Sequence, residues 1–354
     1  MPLTFDPITI GATQIGQRLR PYVAAEMSGN HNHSIERALS IVDAAASAGA
    51  HAVKLQTYTA DSLTIDCDGD DFLIADPKSL WKNRRLYDLY REACTPYDWH
   101  ATIFDHCRKR GITCFSTPFD EDAVDFLERL DAPAYKIASF ENVDLALLRK
   151  VAATRKPVIM STGMASIEEL AEAVRTLRGG GCRELILLKC TSSYPSPPED
   201  TNLLTIPDMR ERFRCHVGLS DHTMGMGAAI AAVAVGAVFI EKHFTLARAD
   251  GGVDAAFSME PSELEQLVAE TDRAHRALGS IAYGPSGEEQ KSLKYRRSLY
   301  VVADVAKGEA FTRQNLRSIR PGLGLAPKHL DSVLGKTAAS DLKRGTALAW
   351  HHIA

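Results

Sequence analysis

One unit recurs along most of this chain. An amphipathic helical pattern closes on small residues, a short apolar run follows, and polar residues stand at the end of that run. It reads ALSIVDAAASAGAHAVKLQTY at 38–58, AVDFLERLDAPAYKIASF at 123–140 and LALLRKVAATRKPVIMSTGM at 145–164. It returns as LAEAVRTLRGGGCRELILLKCTSSYP at 170–195 and AAIAAVAVGAVFIEKHFT at 228–245. The runs YVAAEMS, ITCFSTP and HVGLSDHT bring the expected strands to eight. Strands that alternate with helices pair in parallel, because each crossover is too long for a hairpin. Eight such units predict an α/β fold, a (β/α)8 TIM barrel. A doubly wound open sheet competes, but it wants a glycine fingerprint after its first strand, which SGNHN does not supply. Ser166 with Glu169, and Ser262 with Glu265, fit capping boxes at helix starts. Residues 59–95 exceed an ordinary crossover and read as an insertion that lids a site. Past Gly287 the texture changes to short β-like runs between KGE, PGLG and KRGT turns. The expected domains are therefore a barrel over 1–287 and a small β-rich domain over 288–354.

In such barrels the chemistry lies at the C-terminal strand ends. Collected in order, those ends offer Glu26, Ser28, Asn30 and His31, then Lys54 and Gln56, then Ser116 and Thr117. Next come Lys136, Ser139 and Glu141, then Ser161 and Thr162, then Lys189 and the run Thr191 to Tyr194. The last two strands offer Ser220, Asp221 and His222, and Glu241, Lys242 and His243. Lysines and hydroxyls together bind a phosphorylated anion, and two imidazoles hold a divalent cation. Simpler roles exist for each residue. Lys189 and Lys242 either snorkel to solvent or pair with Glu184 and Glu241. Serines and threonines cap helices, and His222 and His243 serve equally as core or capping groups. Lys54 and Lys136 differ, because each interrupts an apolar run, and a buried lysine needs an anion.

Charge and cysteine usage narrow the partners. A net charge of −4 leaves no electrostatic footprint for nucleic acid or for an anionic membrane. The longest apolar run, GAAIAAVAVGAVFIEKHF, is too short and too soon charged to span a bilayer. The seven cysteines are scattered without CxxC spacing, which argues against a disulfide framework or zinc module and for a reducing, cytoplasmic setting.

The strand ends also carry long motifs: AEMSGNHN, VKLQTYT, STPFD, YKIASFE, STGM, CTSSYP, GLSDHT, IEKHFTL and NLRSIRPG. In these the chain resembles the sialic acid synthase family over nearly its full length, a barrel followed by a small antifreeze-like (SAF) domain. Within the family its text is nearest the pseudaminic branch. Where sialic and legionaminic members read AEAGxNHNG and GPDH, this chain reads AEMSGNHNH and GGVD, and its insertion LWKNRRLYDLYREACTPYDWH is also of the pseudaminic kind.

The resemblance implies a reaction and a set of roles. Phosphoenolpyruvate condenses with an open-chain amino-sugar aldehyde, 2,4-diacetamido-2,4,6-trideoxy-L-altrose in the pseudaminic branch, and water enters as phosphate leaves. A divalent cation, manganese with magnesium or cobalt as substitutes, is expected on His222 and His243 as a Lewis acid. Glu26 is expected to stabilise positive charge or to activate water. Lys54, Thr117, Lys136, Ser139, Ser161 and Ser220 would hold phosphate and carboxylate. Gln56, Glu141, Tyr194 and Asp254 would line the sugar. Asn30, His31 and Asn32 would shape the first loop, with His33 at the surface. Arg320 would reach the partner's sugar across a domain-swapped homodimer. The rival activities are the same condensation on a mannosamine-type or legionaminic precursor, a Schiff-base aldolase using Lys54 or Lys136, and a sugar- or ice-binding protein.

Overall fold

The structure is a computed structural model and describes residues 4–354. The chain divides into two compact units, one ending at Gly279 and one spanning Ser280–Ala354. The first unit is a closed, all-parallel barrel of eight strands. A hairpin of β1 (Ile8–Ile10) and β2 (Thr13–Ile15) precedes it. The barrel strands are β3 (Tyr22–Glu26), β4 (Ala52–Thr57), β5 (Thr113–Pro118), β6 (Tyr135–Ile137), β7 (Val158–Ser161), β8 (Leu185–Cys190), β9 (His216–Asp221) and β10 (Phe239–His243). Each follows its neighbour in sequence order, and β10 closes onto β3 with His243 opposite Glu26.

Side chains alternate across each strand, and here the alternation separates three environments. Outward residues such as Val23, Ala25, Val53, Leu55, Tyr135, Ile137, Leu187 and Ile240 pack on the surrounding helices in one apolar cluster. Inward residues at the strand starts, among them Tyr22, Ala52, Phe115, Ile186 and Phe239, form a second cluster. Ile8, Ile10 and Ile15 of the β1–β2 hairpin complete that cluster, so the hairpin stoppers the N-terminal end of the barrel. Inward residues at the strand ends are polar. Glu26, Lys54, Thr117, Lys136, Ser161, Ser220 and Glu241 are all buried there.

The helices start where local chemistry tells them to. Ser166 accepts a bond from the Glu169 N–H at 3.2 Å, and the Glu169 carboxylate accepts from the Ser166 N–H at 2.7 Å, the expected capping box. The second expected box, Ser262 with Glu265, lies inside its helix instead. Helix Pro261–Leu278 begins with proline in its first turn, and the Glu263 carboxylate accepts from the Glu260 N–H at 2.8 Å. Proline lacks an N–H and has a fixed φ, so it sets the start one residue before the serine.

The small unit holds one two-stranded sheet, β11 (Ser298–Val301) with β12 (Leu316–Ile319). Isolated bridges such as Val305–Leu342 and Ala310–Thr337 supply its other pairing. Its own core gathers Leu299, Val301, Phe311, Leu316 and Leu348. The division between units falls after Gly279, which ends the last barrel helix, and not after residue 287. Among the described residues no helix is long and apolar enough to cross a membrane, and all seven cysteines are unpaired.

Candidate active site

The polar strand ends meet over the barrel axis because closure puts β10 beside β3 and β3 beside β4. Lys54 Nζ lies 2.9 Å from Glu26 Oε2 and 2.9 Å from Glu241 Oε1. Lys136 Nζ lies 3.5 Å from the same Glu241 oxygen, and the Ser220 hydroxyl donates to it at 3.0 Å. The anion that the two buried lysines require is thus supplied within the barrel, chiefly by Glu241. Burial pushes the Glu241 carboxyl up, but Lys136 and Lys54 outweigh it and hold the group well below the usual carboxylate range. Burial pulls Lys54 down to about 7, against the opposing effect of Glu241.

Glu241 is the one central group that the motif reading leaves without a role. The signal was present in IEKH: Glu241 and His243 stand two apart, so they share the inward face, while Lys242 faces the other way. The expected pairing of Lys242 with Glu241 therefore does not form. Lys242 is fully buried on the outer side and pairs with Asp221 at 2.9 Å. Lys189 likewise does not reach Glu184. It donates to the Cys190 carbonyl at 2.8 Å.

Around Lys54, Lys136 and Glu241 several donors are unclaimed. The Thr117 and Ser161 hydroxyls are buried and have no hydrogen-bond partner. Ser139 is buried against Gly163, where an added Cβ would lie 2.4 Å from the serine's own. Two lysines and unpartnered hydroxyls in one desolvated cup suit a phosphate or carboxylate, which accepts several hydrogen bonds at once.

Beside this cup stand the two imidazoles, ring centroids 5.4 Å apart. His222 Nδ1 donates to the Thr191 carbonyl at 2.8 Å, which leaves Nε2 as the nitrogen able to offer a lone pair. Burial lowers the His222 ring, but the Cys190 thiol at 3.9 Å outweighs it and raises the ring above its ordinary value. His243 Nδ1 is buried without a hydrogen bond, and burial, then His222, hold that ring well below its ordinary value and so neutral. The nearest charged group to that nitrogen is the Asp254 carboxylate, at 3.7 Å, and a neutral buried imidazole is chemically able to ligate a divalent cation. Among the described residues no group of three or more His, Cys, Asp or Glu converges as a metal site. The two imidazoles alone would leave most positions of a divalent cation to water and substrate oxygens. Tyr194 packs its ring 4.4 Å from His222 and 5.4 Å from Phe257.

A cavity of about 460 Å³ opens next to His243. Gln56, Glu141, Tyr194 and Asp254 line it, and the insertion lines it as well. Burial pushes the Glu141 carboxyl up to about 7 and Asp254 up to about 6, the latter against the Ser28 hydroxyl and His222. The two places where the sequence departs from its sialic-type relatives meet here. Ser28 donates to the Asp254 carboxylate, and Gly29 packs on Val253 so closely that a Cβ would lie 2.4 Å from Val253 Cγ2. Asn30 donates to the Phe244 carbonyl and to Ser258 Oγ at 2.9 Å each, and Asn32 donates to the Gly251 carbonyl at 3.2 Å. His31 is buried beside Trp99, and His33 is exposed. The first loop is thus tied by its amides to the loop after β10. Arg320 is exposed in the small unit, just past β12.

A parallel barrel with a desolvated anion cup, two imidazoles and an adjoining cavity at its C-terminal end is the working end of an enzyme. The chain belongs to the NeuB family, whose profile matches residues 41–283, and its C-terminal residues 296–354 match the SAF domain. It is 46% identical to a pseudaminic acid synthase of Campylobacter jejuni, over 92% of this chain and 95% of that one. It is 42% identical to a pseudaminic acid synthase of Helicobacter pylori, over 93% and 96%. Among solved structures it is similar to an N-acetylneuraminic acid synthetase from Leptospira borgpetersenii, in complex with citrate. That likeness has a TM-score of 0.73 and 32% identity, and covers 83% of this chain and 97% of that one.

Proposed function

We propose that this chain is a pseudaminic acid synthase, joining phosphoenolpyruvate to 2,4-diacetamido-2,4,6-trideoxy-L-altrose with entry of water and release of phosphate. The observation that carries the reading is the juxtaposition of cup and imidazoles: an anion site built on Lys54 and Lys136 borders two imidazoles, one of them buried with no hydrogen bond at Nδ1. Identity to pseudaminic acid synthases above that to the sialic-type structure supports the branch.

The enol carbon of phosphoenolpyruvate is a weak nucleophile, so its attack needs a polarised aldehyde and a fixed approach. Lys54 and Lys136, with the Thr117, Ser139, Ser161 and Ser220 hydroxyls, hold the phosphate and carboxylate. Gln56, Glu141, Tyr194 and Asp254 orient the open-chain sugar. When bound on His222 and His243, a divalent cation, manganese first with magnesium or cobalt as substitutes, supplies the Lewis-acid polarisation. As the new carbon–carbon bond forms, positive charge develops on the carbon bearing the phosphate. Glu26 faces that charge and takes a proton from the water that adds there. The carbon–oxygen bond to phosphate then breaks and leaves the 2-keto acid. Glu241 pairs with both lysines before the anion arrives. The protein works as a cytoplasmic homodimer in which Arg320 of one copy enters the other's sugar site.

Phosphate release from phosphoenolpyruvate, measured with manganese and either the trideoxy-altrose or N-acetylmannosamine, tests the reading. Turnover with the altrose is expected, and turnover with N-acetylmannosamine alone overturns the branch. His222→Ala should lose manganese in equilibrium dialysis as well as turnover. Arg320→Ala should raise the sugar KM and leave that of phosphoenolpyruvate unchanged.

A further inference from the structure

The cavity beside His243 has two unlike sides. Its barrel side mixes Gln56, Glu141, His243 and Asp254 with Phe119 and Phe140, whereas the insertion turns Leu63, Ile74, Trp81, Leu86 and Leu89 toward it, with Tyr90 its one phenol. The insertion is not poor in charge. Its Arg85 is engaged by Asp66, Asp68 and Asp88, and its Arg84 by Glu92, all at partly or fully exposed positions. The charged groups thus satisfy one another at the surface, and no charged side chain of the insertion lines the cavity.

This wall is fastened rather than loose. Trp81 Nε1 donates to the Val253 carbonyl at 2.8 Å, and its ring lies 5.8 Å from that of Tyr194. Val253 is in turn wedged against Gly29. Ile74 sits in a paired backbone ladder, donating to the Arg84 carbonyl at 2.9 Å and accepting from the Asn83 N–H at 2.8 Å. Wall, first-strand loop and last-strand loop therefore form one piece.

We infer that this wall is the specificity element for the far end of the sugar, accepting a methyl group at the terminal carbon and excluding a hydroxymethyl. The inference rests on the proposed function, which supplies an acceptor with a methyl there. The aldehyde end must reach His243, and the substituents along the chain meet Gln56, Glu141 and Asp254. What remains for the last carbon is the aliphatic and indole face of the insertion, Leu63, Ile74, Trp81, Leu86 and Leu89. A methyl group loses nothing on entering such a lining, whereas a hydroxyl gives up water without gaining a partner. Apolar pockets reject an added hydroxyl by about 10²-fold, and no more, since the hydroxyl still fits.

The test compares kcat/KM for the trideoxy acceptor and for its 6-hydroxy counterpart. Wild type should prefer the trideoxy sugar by about 10²-fold. Ile74→Thr keeps the branched shape and adds a hydroxyl to the wall, so it should narrow that ratio at least tenfold, with the KM for phosphoenolpyruvate unchanged. Trp81→Phe keeps the ring and removes the bond to Val253, and should also narrow the ratio. If both variants lower the two acceptors in equal proportion, the wall is only structural and the inference fails while the function stands. If wild type itself prefers the 6-hydroxy sugar or N-acetylmannosamine, the inference fails together with the proposed function.

Discussion

Glu241→Gln removes one charge and little volume from the centre of the barrel, and the consequence can be worked out from the geometry. In the wild-type chain two ammonium groups, with side chains only 5% and 3% exposed, share the Glu241 carboxylate. Breaking a buried pair by removing one partner costs about 3–5 kcal/mol, because the survivor stays desolvated. Lys54 keeps Glu26 at 2.9 Å, so the lower end, about 3 kcal/mol, is expected near pH 7. The sign of the pH dependence follows from Lys54, whose folded value is already held down at about 7 against 10.5. A lysine depressed in the folded state binds fewer protons there than in the unfolded chain, so stability rises with pH between the two values. Losing Glu241 depresses Lys54 further and lengthens that window downward. The variant should therefore be most damaged at pH 6 and recover part of its deficit by pH 9. Thermal unfolding at pH 6, 7, 8 and 9 reads this out, at about 2 °C per kcal/mol for a unit of this size. Inorganic phosphate should restore part of the loss by standing between the lysines. Unchanged unfolding temperatures across the series, or a deficit that grows with pH, would refute the account.

Two further outcomes follow from single groups. Burial raises Glu141 from 4.5 to about 7, so its ionised form destabilises the fold as pH rises through that interval. Glu141→Gln should match wild type in thermal melts below pH 4.5 and exceed it above pH 7 by about 1 kcal/mol, the partial exposure of the site reducing the full linkage value. Gly29→Ala places a methyl 2.4 Å from Val253 Cγ2 and 3.0 Å from the Ala93 backbone. It should cost about 1–3 kcal/mol by chemical denaturation and raise the KM for the sugar before that for phosphoenolpyruvate.

Much of this protein is legible before folding is considered. The helical period and the apolar runs are local properties, so eight strands and their order follow from the text alone, and closure into a barrel follows from their number. The identities at the strand ends are equally local, which is why Lys54, Lys136, His222 and His243 stand out. The start of helix Pro261–Leu278 is ambiguous in the text, because two carboxylates at 260 and 263 form the same reciprocal pattern as Ser262 with Glu265, and proline decides between them. Residues 280–287 have the composition of a linker, so the text alone does not say to which unit they belong, and the structure groups them with the second.

What the sequence determines by itself, then, is the kind of group at each strand end, because chain order and side-chain chemistry carry that information. Which groups meet is decided by the tertiary structure. Glu241 reaches Lys54 because β10 closes beside β3 and strand alternation turns both inward. Lys242, its neighbour in sequence, is turned outward to Asp221 by the same rule. Ser28 finds Asp254 across 226 residues of chain, and Trp81 finds Val253 across 172. No local pattern encodes such pairs, since they exist only once the barrel has closed and the loops at its mouth share one space.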